Sequence, residues 1–153
     1  MYHKILVPLD GSPRAEAILP YVLELALKYE STVILLQVVE LQIRDANVEF
    51  MPPAEGWQVL QQTAEAAEKA AHTYLGGVRF RLRAKGIEAQ ARVAFSPVVE
   101  AIIAAAEQES ADLIAMASHG RTGAARVFYG SVASGVLHRI DRPLLIVRSR
   151  GQT

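Results

Sequence analysis

The residues best suited to chemistry lie late in the chain. Ala117-Ser118-His119-Gly120 is followed by nine residues and then by Gly130-Ser131. Ahead of this stretch, Asp112-Leu113-Ile114-Ala115-Met116 reads as a short buried strand. Behind it, Val132 to Arg139 reads as a helix with Ser131 at its N-cap. A glycine-bearing loop between a strand and a helix N-terminus supplies unpaired backbone N–H groups and the positive end of a helix dipole. That combination favours phosphate. The competing reading is a tight turn whose glycines serve only backbone freedom.

Other chemistries find less support. His119 has no evident nucleophile beside it, and His3, His72 and His138 are too dispersed for metal-ligand spacing. Cysteine is absent, which excludes disulfides, thiolate metal sites and cysteine nucleophiles. There is no Gly-x-x-x-x-Gly-Lys-Ser/Thr and no Gly-x-Gly-x-x-Gly, so neither a P-loop nor an ordinary dinucleotide site is expected. None of the four lysines lies in the glycine loop, which argues against fast phosphoryl transfer. Arg121 and Arg126 are within reach of a terminal phosphate, although loop arginines are more often solvated.

The formal net charge is +0, so nothing attracts nucleic acid or an anionic membrane, and neither partner is expected. Arg79, Arg81, Arg83 and Lys85 form a basic run, which reads as a solvated last helical turn that complements the helix dipole. No apolar run approaches membrane-spanning length and the first residues carry no apolar signal core, so a soluble, cytoplasmic protein is expected.

Periodicity gives the elements that must position the glycine loop. Lys4 to Leu9 reads as a strand ending at Asp10. Gly11-Ser12-Pro13 then starts a helix, with Ser12 as N-cap, Pro13 at the first helical position and a kink at Pro20. Residues 32–39 form an apolar strand covered on both faces. Residues 40–56, with Pro52, Pro53 and Gly56, read as a long loop, either binding or disordered. A helix on Leu60, Ala64, Ala67, Ala71 and Tyr74 or Leu75 is weakened at Gly76-Gly77, resumes the same face with Val78 and Leu82, and ends at Gly86. Residues 88–95 alternate as an edge strand does, Ser96-Pro97 opens a further helix, and residues 143–148 form the last strand. Five strands alternating with about four helices in residues 1–153 predict a single α/β domain with an open, mainly parallel sheet. Ligands bind such sheets beyond the strands' carboxyl ends. One pocket would form if the strand ending at Asp10 neighbours the strand ending at Ala117.

Several stretches carry a resemblance. Ile5 to Ser12, Val33 to Val38, Ser118-His119-Gly120-Arg121-Thr122-Gly123 through Gly130-Ser131-Val132, and Arg142 to Val147 together resemble the universal stress protein family over nearly the full chain. The family's nucleotide signature is Gly, two residues, Gly, nine residues, Gly, then Ser or Thr. Its spacing is intact here, with Ala117 in place of the first glycine. The methyl group adds bulk and disfavours positive φ.

The resemblance implies a Rossmann-like fold of the adenine nucleotide alpha hydrolase type, strand order 3-2-1-4-5, and an ATP pocket. Asp10 would face the ribose or a metal-bound water, with Pro8 and Leu9 beside it in the pocket, and Val38 would meet the adenine through its backbone. Met116 and Ala117 would line base and sugar. Gly120, Gly130, Ser131 and Val132 would cradle the phosphates with backbone N–H groups and the Ser131 hydroxyl, Mg²⁺ being carried on the phosphates, and Ser118, His119 and Arg121 would complete the nucleotide-binding set. It also implies a homodimer through the C-terminal strand, whose Leu144-Leu145-Ile146-Val147 would otherwise be an apolar exposed edge. The function implied is nucleotide-dependent regulation in a stress response. Alternatives are slow ATP hydrolysis or self-phosphorylation at Ser131 or Ser118, cyclic AMP in place of ATP, or a nucleotide-free dimerisation module.

Overall fold

The structure, a computed structural model, describes residues 1–41, 50–118 and 130–149. Among them, five strands run β1 (Lys4–Leu9), β2 (Thr32–Val39), β3 (Ala89–Phe95), β4 (Leu113–Ala117) and β5 (Leu144–Val147). Four α-helices join them: α1 (Leu19–Tyr29), α2 (Pro53–Ala84), α3 (Val98–Gln108) and α4 (Ser131–Arg139). Every neighbouring pair of strands is parallel, in the order β3-β2-β1-β4-β5. The fold is therefore the open α/β sheet that strand–helix alternation predicts. β1 and β4 are neighbours, with Ile5 opposite Leu113 and Leu6 opposite Ile114.

Successive side chains on a strand point to opposite faces, so a sheet covered by helices on both sides needs strands that are apolar throughout. Ile5, Val7, Val33 and Leu35 pack on one face with Val22, Ala26, Leu75, Val78 and Leu82 of α1 and α2. Leu6, Ile34, Leu36 and Ile114 pack on the other with Ile102, Ala106, Ala133 and Val136 of α3 and α4. β3 and β5 take the edges, as alternation in residues 88–95 and the resemblance at residues 144–147 led one to expect.

Three local expectations are corrected. Ser12 accepts a hydrogen bond from the Ala15 N–H at 3.2 Å, as a cap would, yet the next element is a short 3-10 turn, Ala15–Ile18, and the α-helix starts only at Leu19. Pro20 thus falls in the first turn of α1, where its missing N–H costs no intrahelical bond, and no kink is needed. Across Gly76-Gly77, by contrast, α2 runs unbroken for 32 residues, with Val78 and Leu82 resuming the buried face as expected. Burial of Ala71, Leu75, Val78 and Leu82 on one stripe outweighs the low helix propensity of two glycines. Finally, the expected 40–56 loop is shorter at its C-terminal end. Pro52 stands at the N-cap of α2 and Pro53 at the first helical position, where proline's fixed φ is favourable. Gly86, at φ +82, does close the turn after α2.

Candidate functional site

β1, β2 and β4 end on a cleft of about 790 Å³. Pro8, Leu9 and Asp10 enter it from the end of β1 and Val38 from β2. Met116, Ala117 and Ser118 enter from β4, and Gly130, Ser131 and Val132 from the start of α4. Those residues come from opposite ends of the sequence, and only the parallel order of β2, β1 and β4 brings them together. His119, Gly120, Arg121 and Arg126 lie outside the described residues.

Each wall is locally fixed. Asp10 Oδ1 accepts from the Ser12 N–H at 2.9 Å and from the Ser12 hydroxyl at 2.6 Å. Gly11 at φ +83 permits the turn that brings these donors round, so the carboxylate is oriented before any ligand arrives. At the other wall, the Ser118 N–H donates to the Val147 carbonyl at 2.8 Å, and the Gly130 N–H donates to the Ser118 carbonyl at 2.7 Å. The strand end and the helix start are therefore tied directly to each other.

The N-cap of α4 is Gly130 rather than Ser131. Gly130 is extended (φ −62, ψ 159) and its carbonyl accepts the first helical bond, from the Ser134 N–H at 2.9 Å. Ser131 is the first helical residue, and no side chain caps the helix. The first-turn N–H groups of a helix have no partner within it. Here they border the cleft together with the positive end of the α4 dipole. With no capping hydroxyl to compete for those donors, this end suits an anion better than a Ser131 cap would allow.

Ala117 ends β4 opposite Val147 and is 8% exposed. Positive φ among the described non-glycine residues occurs only at Tyr2, Glu30 and Ser110. Position 117 therefore has no need of glycine's conformational freedom, and the alanine adds only a methyl group to the wall.

Two buried side-chain atoms among the described residues lack a hydrogen-bond partner, Gln37 Oε1 and Ser118 Oγ. Both residues line the cleft. Buried polar groups are nearly always satisfied in folded proteins, so orphans gathered on one cavity point to something that fills it. Gln37 was missed from the sequence, although it is the one polar residue between Val33 and Val39 and that interruption was a readable signal. Also unforeseen are Ala67, Ala70 and Ala71 of α2, which floor the cleft on one side, and Val98 and Ile102 of α3 on the other. Nothing local marks them, because they become walls only through helix packing.

Tyr74 borders the cleft and its hydroxyl donates to Glu16 Oε2 at 2.9 Å, while Arg81 pairs with Glu16 Oε1 at 2.6 Å. Burial, then the hydrogen bond to Glu16, push the Tyr74 phenol well above its ordinary value of 10. It is a neutral donor at physiological pH. Arg81 and Arg83, from the basic run, are spent on Glu16 and Glu88, in keeping with a solvated structural turn. Among the described residues no group of three or more His, Asp or Glu lies close enough to hold a metal, and no helix is long and apolar enough to cross a membrane.

The fold and the cleft define a class: an open, doubly wound α/β domain with its main cleft at the carboxyl edge of a parallel sheet, the edge where such folds bind ligands. Within that class, the chain belongs to the universal stress protein family, whose match spans residues 1–148. It is 28% identical to universal stress protein MJ0577 of Methanocaldococcus jannaschii, covering 98% of this chain and 97% of that one. It is also 28% identical to MJ0531 of the same organism, covering 97% and 83%. The solved structure of MJ0577 superposes with a TM-score of 0.84 over 99% of both chains. The fold is shared at lower identity by a universal stress protein in complex with cAMP (TM-score 0.62, 20% identical, covering 97% and 98%). An Arabidopsis thaliana family member with AMP bound shares it too (TM-score 0.59, 13% identical, covering 97% and 92%).

Proposed function

We propose that this protein binds an adenine nucleotide, ATP with Mg²⁺ carried on its phosphates, and acts as a homodimeric regulator in a stress response. The observation that carries the reading is the cleft itself. It joins an uncapped helix N-terminus, an oriented carboxylate and two unpartnered buried polar groups in one cavity. The helix end suits phosphate. Asp10, just beyond the end of β1, suits a hydroxyl-bearing sugar or a metal-bound water. The apolar lining, Ala67, Ala70 and Ala71 of α2 on one side and Val98 and Ile102 of α3 on the other, suits a flat ring held between them. Two proteins of the same fold hold cAMP and AMP, which is in keeping with the reading. Regulation follows from binding: a ligand shifts an equilibrium by its differential affinity for two states.

The two sheet edges differ in a way that favours pairing at β5. On β3, Arg92 Nη1 bonds the Ala91 carbonyl at 3.0 Å, and Arg92 Nε pairs with Glu109 at 2.6 Å. A charged side chain folded along an edge opposes strand addition there. β5 is instead four consecutive apolar residues, each half-buried. The Pro143 and Val147 carbonyls turn inward to β4, so in a parallel ladder Leu144 and Ile146 present their backbone groups outward. Ile146→Pro should remove one outward donor and leave the β4–β5 ladder intact. Sedimentation is expected to show a dimer for the parent and a monomer for this variant, and a parent that stays monomeric at micromolar concentration refutes the dimer.

Ligand binding is tested by mass spectrometry of nucleotide released on denaturation, with calorimetric titration by ATP–Mg²⁺. Bound or titratable ATP, lost in Gly130→Glu, is the expected result. Tighter binding of cAMP than of ATP in competition would reassign the ligand. No binding of ATP, ADP or cAMP would sink the nucleotide reading.

A further inference from the structure

The cleft has chemically opposite ends. Around Gly130–Val132 it offers backbone donors to an anion. On the β2 side it offers the amide of Gln37, whose oxygen is buried and has no partner. Gln37 shares its face of β2 with Val33 and Leu35, the face covered by α2, and stands opposite Leu9 and Val93 on the neighbouring strands. An apolar residue there would serve the strand better, since a buried amide oxygen without a donor disfavours folding. Because Oε1 makes no hydrogen bond, the amide gives none up there when it turns toward a ligand. Ala67, Ala70 and Ala71 of α2, the helix that covers this face, also line the cleft, and their short side chains favour a planar ring over a bulkier one.

We propose that Gln37 is the specificity-determining residue of the cleft, selecting adenine by pairing its amide with the 6-amino group and N7 of the base. The inference rests on the nucleotide reading above and assigns the base-recognition element within it. Adenine presents a donor at N6 beside an acceptor at N7, and a carboxamide presents an acceptor beside a donor at matching spacing. Hypoxanthine and guanine present acceptors at both O6 and N7, so one atom of the amide is left facing a like group whichever way it turns. This edge, unlike the opposite edge of the purine, discriminates without the amide orientation being fixed by a third group. The direction of the cleft agrees: an anionic tail at α4 and a donor-bearing ring at β2 describe an adenine nucleotide from end to end.

The test is calorimetric or competitive binding of ATP, inosine triphosphate and 7-deaza-ATP to the parent, Gln37→Leu and Gln37→Met. Both variants keep an unbranched or similar-volume apolar chain, so if one folds poorly the other carries the comparison, with thermal melting as the check. The parent is expected to prefer ATP over each analogue by about tenfold or more, the span of one bidentate contact. In the variants ATP should weaken toward the analogues, bringing both ratios to within about twofold of unity while inosine triphosphate binding is kept. A merely structural role would weaken all three ligands together and leave the ratios standing. If the parent binds ATP but the ratios survive in the variants, Gln37 is not the reader and the nucleotide reading stands. If the parent binds none of the three, the nucleotide reading fails and this inference falls with it.

Discussion

Gly135 holds α4 against α3, and replacing it tests whether the anion-binding end of the cleft is positioned by close packing. A Cβ built at Gly135 would lie 2.7 Å from Val99 Cγ2 and 3.4 Å from Cγ1. Carbon atoms prefer about 3.5–4.0 Å, so the overlap is on the order of 0.8 Å. Val99 is β-branched and sits on a helix, where one rotamer dominates, so it cannot easily swing aside. Relief must come from α4 moving off α3, at an overpacking cost of about 1–3 kcal/mol. Against this, exchanging glycine for alanine inside a helix gains about 1 kcal/mol. Gly135→Ala should therefore destabilise by roughly 0–2 kcal/mol in the parent, yet stabilise by about 1 kcal/mol once Val99→Ala has removed the obstructing methyls. Urea unfolding of the four proteins yields a coupling of roughly 1–3 kcal/mol. Nucleotide affinity should fall in Gly135→Ala alone and recover in the double variant, because the α4 N-terminus moves with the helix. A gain of equal size in both backgrounds, with coupling below about 0.5 kcal/mol, refutes the packing argument.

Ser118→Ala removes a buried hydroxyl that has no partner, so the ligand-free protein should be unchanged or up to about 1 kcal/mol more stable while nucleotide affinity drops several-fold. A clear loss of stability in urea without ligand would show that the hydroxyl is already satisfied. Ala117→Gly should cost about 0.5–1 kcal/mol of stability and leave nucleotide affinity within about threefold, since the strand geometry at 117 makes no use of glycine. A large gain in affinity would show that the methyl group obstructs the ligand. Tyr74 gives the protein an alkaline limb. Its folded pKa is raised, so its contribution is intact below the unfolded value near pH 10 and declines as pH rises above it; Tyr74→Phe should flatten that decline in stability measured against pH. Glu100 works in the opposite sense: the Arg139 hydrogen bond holds its carboxyl below the usual 4.5, so its small contribution is present above that value and is lost as pH falls. Glu100→Gln should reduce the acid-side slope, and an unchanged slope would discount the pair.

The sequence by itself determined the layered fold. The nearly all-apolar run at residues 32–39 and the apolar run at 113–116 call for a sheet covered on both faces, and the helices between the strands favour parallel pairing. Of the residues that the resemblance implies, the described ones, from Pro8 to Val132, line one cleft, and most are legible because strand ends and helix starts are local events. Capping was harder to read. Whether Gly130 or Ser131 precedes the first turn depends on one carbonyl's partner, Ser134, and both residue types are acceptable caps. The unbroken path of α2 through Gly76-Gly77 was a contest between local propensity and a buried stripe, and packing prevailed. The rest belonged to the tertiary structure alone. Gln37, Tyr74 and the α2 alanines come together at the cleft from separate elements, and an atom is orphaned only once every neighbour has been placed. Local sequence encodes which backbone states a segment prefers, whereas the chemistry of a cavity is a property of surfaces that meet only after the chain has folded.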